Sequence, residues 1–327
     1  MYLFKKDYLK KFLKRDKKQN FKKKHDIAIS NKKGLKNQEK KEKKKETICK
    51  SPSFSWNGYV ASNVGLKRAN NEDNFLLNQR WNTESALESE EFLYIPNIKE
   101  TTWCCVGVFD GMGGGENGEL ASIFATEEFK KIFDEVNSTT SEMEIEAMAR
   151  QGFLNANRRI VEEQQFHAMY GTTGTVICTN GTKFKVFHLG DSRAYLFREK
   201  NEFYKLTKDQ TLANLKLEAG FYSNEDEIPE KEKHQLTEYI GCDRTLEHLR
   251  PIESEWMELL LEDKLLICSD GLYDMCTDEQ ISNIMKQSDS PKEIVEQLVA
   301  SALEEGGIDN ITCLLLKKER NVMNVEE

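Results

Sequence analysis

GTTGTVICTNGTKFKVFHLGDSRAYLFR, residues 171–198, contains three β-like runs, 173–179, 183–189 and 193–198. Each is short, rich in Val, Phe, Tyr and Thr, and bounded by turn residues, which is the strand signal. The runs meet at Leu189-Gly190-Asp191-Ser192, a tight turn, and so read as an antiparallel hairpin. Further strand-like runs occur at 57–62, 103–109, 264–268 and 311–316. Helical periodicity marks 117–136, 142–165, 211–220, 277–287 and 291–305. In 142–165, Ile145, Met148, Gly152, Phe153, Ala156 and Ile160 form one apolar stripe, the core face of a packed helix. Strands and helices do not alternate one for one. That argues against a doubly wound parallel sheet and for an α+β fold of layers. Residues 80–101 are polar and read as a loop between two strands.

Outside this body the composition changes. Residues 1–50 hold 20 basic and 6 acidic side chains, whereas the remainder holds 27 basic and 50 acidic. The formal charge of -9 therefore hides a basic arm joined to an acidic body. We divide the chain into a lysine-rich, mostly disordered arm at 1–50, a folded domain at 51–320 and a short tail at 321–327. So dense a run of charge buries too little apolar area to offset chain entropy. Leu3, Phe4, Tyr8, Leu9, Phe12 and Leu13 are spaced roughly as one helix face among lysines. Two readings stand: a solvated tail, or a basic amphipathic helix that contacts an anionic membrane or a protein. The arm has no apolar core of a secretory signal, and no run of about 18 apolar residues spans the chain. The expected location is the cytoplasm, peripheral to the membrane if the arm binds there. The eight cysteines include no CxxC pair and lie mostly in apolar runs, so they read as small buried residues of a reducing compartment.

The chemistry lies in the acids. CCVGVFDGMGGG (104–115) places Asp110 and Gly111 at the end of an apolar run, and LLICSDGL (265–272) does the same with Asp270 and Gly271. GGIDNITCLLL puts Asp309 just before a run, and HLGDSRAYLF puts Asp191 at a turn. KRANNEDNF adds the adjacent pair Glu72 and Asp73. One Asp-Gly after a strand is usually only a turn. Five acidic spots sharing the strand-end context are different. Carboxylates that converge on one rim of a sheet repel one another unless a cation neutralises them. Mg²⁺ or Mn²⁺ takes such oxygen ligands, and two such ions form the clamp used for phosphoester hydrolysis. Residue chemistry alone thus leads to a metal-dependent phosphoester hydrolase.

The order of motifs resembles the protein phosphatase 2C-like family of metal-dependent serine/threonine phosphatases. GLKRANNED, FDGMGGGENGE, GTTGTVICT, HLGDSRAYLF, KDQTLANLKLEAG, LTEYIG, LLICSDGLYD and GGIDNIT follow one another across roughly residues 55–318, in forms more like bacterial members. The resemblance implies a four-layer α-β-β-α sandwich of two antiparallel sheets flanked by helices. It implies two Mn²⁺ or Mg²⁺ ions and a third, weaker one. Asp110 would bridge two metals, Asp270 and Asp309 would hold the first, and Glu72 and the Gly111 carbonyl the second. Asp73 would stand in the shell that holds the second metal's waters, and Asp191 with Asp270 would bind the third. Arg68 would grip the substrate phosphate with its fork of donors. A hydroxide bridging the metals would attack phosphorus directly in phosphoserine or phosphothreonine of protein substrates.

Departures concern neighbouring positions. Met112 stands where animal and plant members often carry a His, and Gly115 where bacterial members commonly do. Asp209-Gln210-Thr211 and Leu236-Thr237-Glu238 differ from the family's flap patterns. None removes a metal ligand. His167, His188 and His234 read as structural or surface residues. The alternative from another class is a pseudophosphatase acting as a binding module, which the intact set of Arg68, Asp110, Asp270 and Asp309 weakens. The acidic body argues against nucleic-acid binding, and we expect a monomer.

Overall fold

The structure is a computed structural model that describes residues 54–77, 80–81, 91–99, 103–113, 117–164, 170–198, 202–242, 249 and 251–320. The basic arm with its candidate helix, the tail at 321–327, Gly115 and His167 lie outside the described residues.

Two antiparallel sheets form the centre. The first contains β1 (Phe54–Asn63), β4 (Glu91–Lys99), β9 (Arg193–Arg198), β10 (Glu202–Lys205), β13 (Lys264–Cys268) and β14 (Ile311–Arg320), in the order β10-β9-β13-β14-β1-β4. The second contains β2 (Asp73–Leu77), β3 (Arg80–Trp81), β5 (Cys104–Met112), β7 (Gly174–Thr179), β8 (Lys183–Leu189) and β11 (Ile252–Glu253), in the order β11-β8-β7-β5-β2-β3. The two-residue strands β6 (Gly171–Thr172) and β12 (Met257–Glu258) pair with β5 and β8.

The alternation of side chains makes the layers. On β5, Val106 and Val108 enter the core between the sheets, while Cys105 and Phe109 face the helices α1 (Gly118–Phe133) and α2 (Glu142–Glu163). On β14, Leu314 and Leu316 enter the same central core, while Cys313 and Leu315 face α6 (Asp278–Gln287) and α7 (Pro291–Glu304). A period of two in each strand therefore serves two cores at once. The result is the expected four-layer α-β-β-α sandwich. The helix boundaries follow local chemistry. Ser141 and Glu144 form a capping box at α2, Thr277 and Gln280 another at α6, and Ser290 with Pro291 opens α7.

Two expectations need correction. The Leu189–Ser192 turn does not close a hairpin. β8 pairs with β7, β11 and β12, whereas β9 pairs with β10 and β13 in the other sheet. The hairpin is β7–β8, and Gly190-Asp191-Ser192 carries the chain from one sheet to the other. Gly190 takes φ of 108° there, which turns the backbone sharply enough to leave its sheet. Nor is 80–101 wholly a loop: β4 forms the edge of the first sheet. Its register against β1 shifts between Trp56 and Gly58, so Pro96 sits at an irregularity of an edge strand, where a missing N–H costs least.

Candidate metal centre

The six candidate acids come from five chain segments that meet at one side of the two-sheet core. Asp73 and Asp110 stand opposite each other in the β2–β5 ladder. Asp110 is fixed through its backbone: its amide donates to Thr173 Oγ1 at 3.0 Å, and its carbonyl accepts from Thr173 N at 2.8 Å and Thr172 Oγ1 at 2.9 Å. Asp110 therefore lies within a strand, not beyond its end. Gly111 N donates to Glu72 O at 3.1 Å. A Cβ on Gly111 would lie 2.3 Å from Gly118 O and 2.5 Å from Glu72 O, so only glycine lets these three backbones meet. Asp270 opens the short helix α5 (Asp270–Tyr273). A Cβ on the next residue, Gly271, would lie 2.1 Å from Asn310 O, so the Asp270 and Asp309 segments also pack backbone to backbone.

A buried polar layer supports the acids. Ser269 Oγ donates to Asp73 Oδ2 at 2.7 Å and accepts from Thr312 N at 2.9 Å. Asn310 acts as a clamp: its Nδ2 donates to Val64 O and Asn70 O, both at 2.9 Å, and its Oδ1 accepts from Glu72 N at 2.8 Å. The sequence reading missed Asn310 and Ser269. Their only signal was adjacency to Asp309 and Asp270. The turn at Asp191 is held by Gln210, which accepts from Gly190 N and donates its own amide to Gly190 O, each at 2.7 Å. Asp209 accepts from Arg193 at 2.7 Å, and that guanidinium lies 3.5 Å over the Tyr273 ring. The departures at 209–211 thus have structural work: they pin the flap's start to the Asp191 crossing.

Electrostatics separate this cluster from ordinary turns. Burial, then the charges of Asp270, Asp73, Asp191 and Asp309, pushes Asp110 well above the usual carboxylate range. Asp270 rises for the same reasons, with Asp191 and Asp274 its strongest electrostatic opponents. Burial raises Asp73 to about 7, against the hydrogen bonds from Ser269 and Thr312. Burial and Asp209 raise Asp191 to about 7. Glu72 is raised by burial and by Glu119. Arg68 meets Asp309 in an ion pair of 2.5 Å, with half of its side chain exposed. So Asp110, Asp270, Asp309, Asp191, Asp73 and Glu72 interact as one acidic group, and Arg68 stands at its edge on Asp309. A donor set of carboxylates and backbone oxygens, in which Asp110, Asp270, Asp191, Asp73 and Glu72 resist ionisation, fits hard divalent cations.

His188 is structural, as expected. It is buried between Thr175 Oγ1 at 2.9 Å and Lys208 O at 3.1 Å, and burial lowers it to about 4. His234 is a surface residue, as expected. It stands beside the acids, with Nδ1 3.5 Å from Asp274 Oδ2. Asp274 was missed, because a second acid four residues after Asp270 reads as a helix-surface charge.

A family model for protein phosphatase 2C matches residues 59–218. The serine/threonine phosphatase stp of Listeria welshimeri is 31% identical over 220 residues, which are 66% of this chain and 84% of that protein. The chain belongs to the protein phosphatase 2C family. As a member of that family it is a protein-serine/threonine phosphatase. Protein phosphatase PhpP of Streptococcus pneumoniae is 29% identical over 79% of this chain and 95% of its own. The S. agalactiae serine/threonine phosphatase shares the fold, with a TM-score of 0.68 at 24% identity over 80% of this chain and 99% of that one. The catalytic domain of PstP, solved in complex with two manganese ions, aligns with a TM-score of 0.61 at 25% identity over 81% of this chain and 99% of that one. In this phosphatase 2C chain the six acids occupy the motifs that carried the resemblance.

Proposed function

We propose that this phosphatase is metal-dependent and hydrolyses phosphoserine and phosphothreonine in proteins at the centre formed by Asp110, Asp270 and Asp309. The observation that carries this reading is the mutual repulsion of buried acids around Asp110, which a divalent cation relieves. The two manganese ions of the PstP structure support the same assignment. Asp110 would serve both ions, Asp270 and Asp309 the first, and Glu72 with the Gly111 carbonyl the second. Asp191 with Asp270 would hold a third, weaker ion. When bound, the ions supply Lewis acidity, lowering the pKa of a coordinated water and offsetting charge on the phosphoryl group.

The chain's own groups do the rest. Thr172 and Thr173 hold the Asp110 backbone, so its carboxylate is preorganised. Ser269 and the β2–β5 ladder hold Asp73 opposite Asp110. Arg68 is open enough to offer guanidinium N–H groups to phosphoryl oxygens, and its bond to Asp309 keeps it at the mouth. No nucleophilic side chain is needed.

Hydrolysis of a phosphothreonine peptide, with EDTA and then with Mn²⁺, tests the proposal. Turnover should appear with Mn²⁺ and fall by about 100-fold or more in Asp110→Asn. Turnover that survives EDTA, or that is unchanged in Asp110→Asn, would refute the metal centre. Mn²⁺ binding without turnover would favour the pseudophosphatase reading.

A further inference from the structure

Two loops meet at the Arg68–Asp309 ion pair, and each carries a bare apolar side chain. In the connection after β1, Leu66 is 63% exposed, and in the turn before β14, Ile308 is 50% exposed. The loops are locked together through their backbones. Leu66 N donates to Gly307 O at 2.7 Å, and a Cβ on Gly65 would lie 2.2 Å from Asp309 O. Gly65, Gly306 and Gly307 take φ of 77°, 128° and 47°, values that favour glycine. Leu66 Cγ and Leu303 Cδ2 close on Gly307, 3.2 and 3.0 Å from where a Cβ would stand. Ile308 Cγ2 and Met275 Sδ close on Gly306 in the same way, at 3.8 and 3.9 Å. Leu303 and Met275 in turn pack against the core under α6 and α7. Leu66 and Ile308 therefore crown an apolar ledge that continues from that core to the surface.

Single exposed apolar side chains are ordinary on a protein. This pair differs in its neighbours. Leu66 lies two residues before Arg68, and Ile308 immediately precedes Asp309. A phosphoryl group held by Arg68 brings the rest of its peptide over these loops, and two residues of extended chain span about 7 Å. We propose that Leu66 and Ile308 receive an apolar side chain one or two positions from the phosphorylated Ser or Thr, so that the enzyme prefers phosphopeptides with such a neighbour. The proposal rests on the reading of Arg68 and the metal centre given above. Loops already fixed by backbone contacts lose little freedom when a peptide covers them. An apolar contact made equally in the ground state and the transition state lowers KM and leaves kcat alone.

The test compares two phosphothreonine peptides in Mn²⁺, alike except for Leu or Ser at the two positions on each side of the phosphothreonine. Wild type, Leu66→Gln, Ile308→Thr and the double variant are assayed. Each kcat/KM is divided by that of the same enzyme on p-nitrophenyl phosphate, which has no flanking residues, so a general loss of active protein cancels. Wild type should favour the Leu peptide about tenfold, through KM. Each single variant should reduce that preference about threefold, and the double variant should abolish it. Equal values for the two peptides in wild type, a preference carried by kcat, or a preference that survives in the double variant would overturn this proposal alone, since aryl phosphate turnover would still uphold the metal centre. Wild type inert toward aryl phosphate and both peptides in Mn²⁺ would overturn the metal-centre reading, and this proposal with it.

Discussion

β13 and β14 run side by side, and their two ends handle charge in opposite ways. At one end, Lys264 and Lys317 are register partners and almost fully buried. Each is matched internally. Lys264 Nζ donates to Met285 O and Ser288 O at the end of α6, at 2.7 and 2.6 Å, and Lys317 pairs with Glu262 at 2.9 Å. Next to them Asp263 is neutralised by the Arg198 fork. At the other end the same strands lead into Asp270 and Asp309, in a cluster whose charges raise the pKa of Asp270 and Asp110. Like charges buried with their partners are architecture. Like charges gathered with Arg68 at their rim form the centre proposed above for divalent cations.

That contrast breaks most visibly at the acidic end. Asp270→Asn should lower kcat/KM for a phosphopeptide by about 100-fold or more while the protein stays folded, read by steady-state kinetics and circular dichroism. Arg68→Lys keeps the charge and loses the fork, and should cost about tenfold, felt on phosphopeptides and small aryl phosphates alike. An intermediate effect concerns stability. In cation-free protein Asp73 and Asp191 ionise near 7 instead of 3.8. The native state then holds more protons than the unfolded chain, so their contribution is present at low pH and lost as pH rises through about 7. Thermal melts in EDTA should show Tm falling between about pH 4 and 7, and saturating Mn²⁺ should flatten that fall.

The basic end gives the complementary result. Lys264→Met removes the donor to two carbonyls at the end of α6 and should cost about 1–3 kcal/mol in denaturant unfolding, with kcat/KM unchanged. If instead it cut activity as Asp270→Asn does, the two ends would not be independent. The smallest effect belongs to the basic arm. Deleting residues 1–50 should leave turnover of a short phosphopeptide nearly intact, and a large loss would make the arm part of the catalytic unit.

Local patterns carried most strands and helices, because side-chain alternation and capping residues such as Ser141 and Thr277 act within a few positions. β4 escaped because its strand pattern is interrupted by Pro96 and its only described partner is β1. The acids were legible for another reason. Each lies beside a glycine, an Asn or a turn that its segment needs, and those signals are local too.

By itself the sequence determined the period-two runs, the basic arm and acidic body, and the six acids, since each depends on neighbouring residues, while Arg68 came from the family resemblance. Only the tertiary structure decided that residues 190–192 join two sheets instead of closing a hairpin, because pairing is set by partners such as β7 and β13 that lie far along the chain. It alone showed that Asn310 clamps the β1–β2 connection at three points, and that His234 and Asp274, forty residues apart, meet at the edge of the acids. Such juxtapositions follow from how two cores pack on either face of each sheet, and that packing leaves no mark on a single stretch of chain.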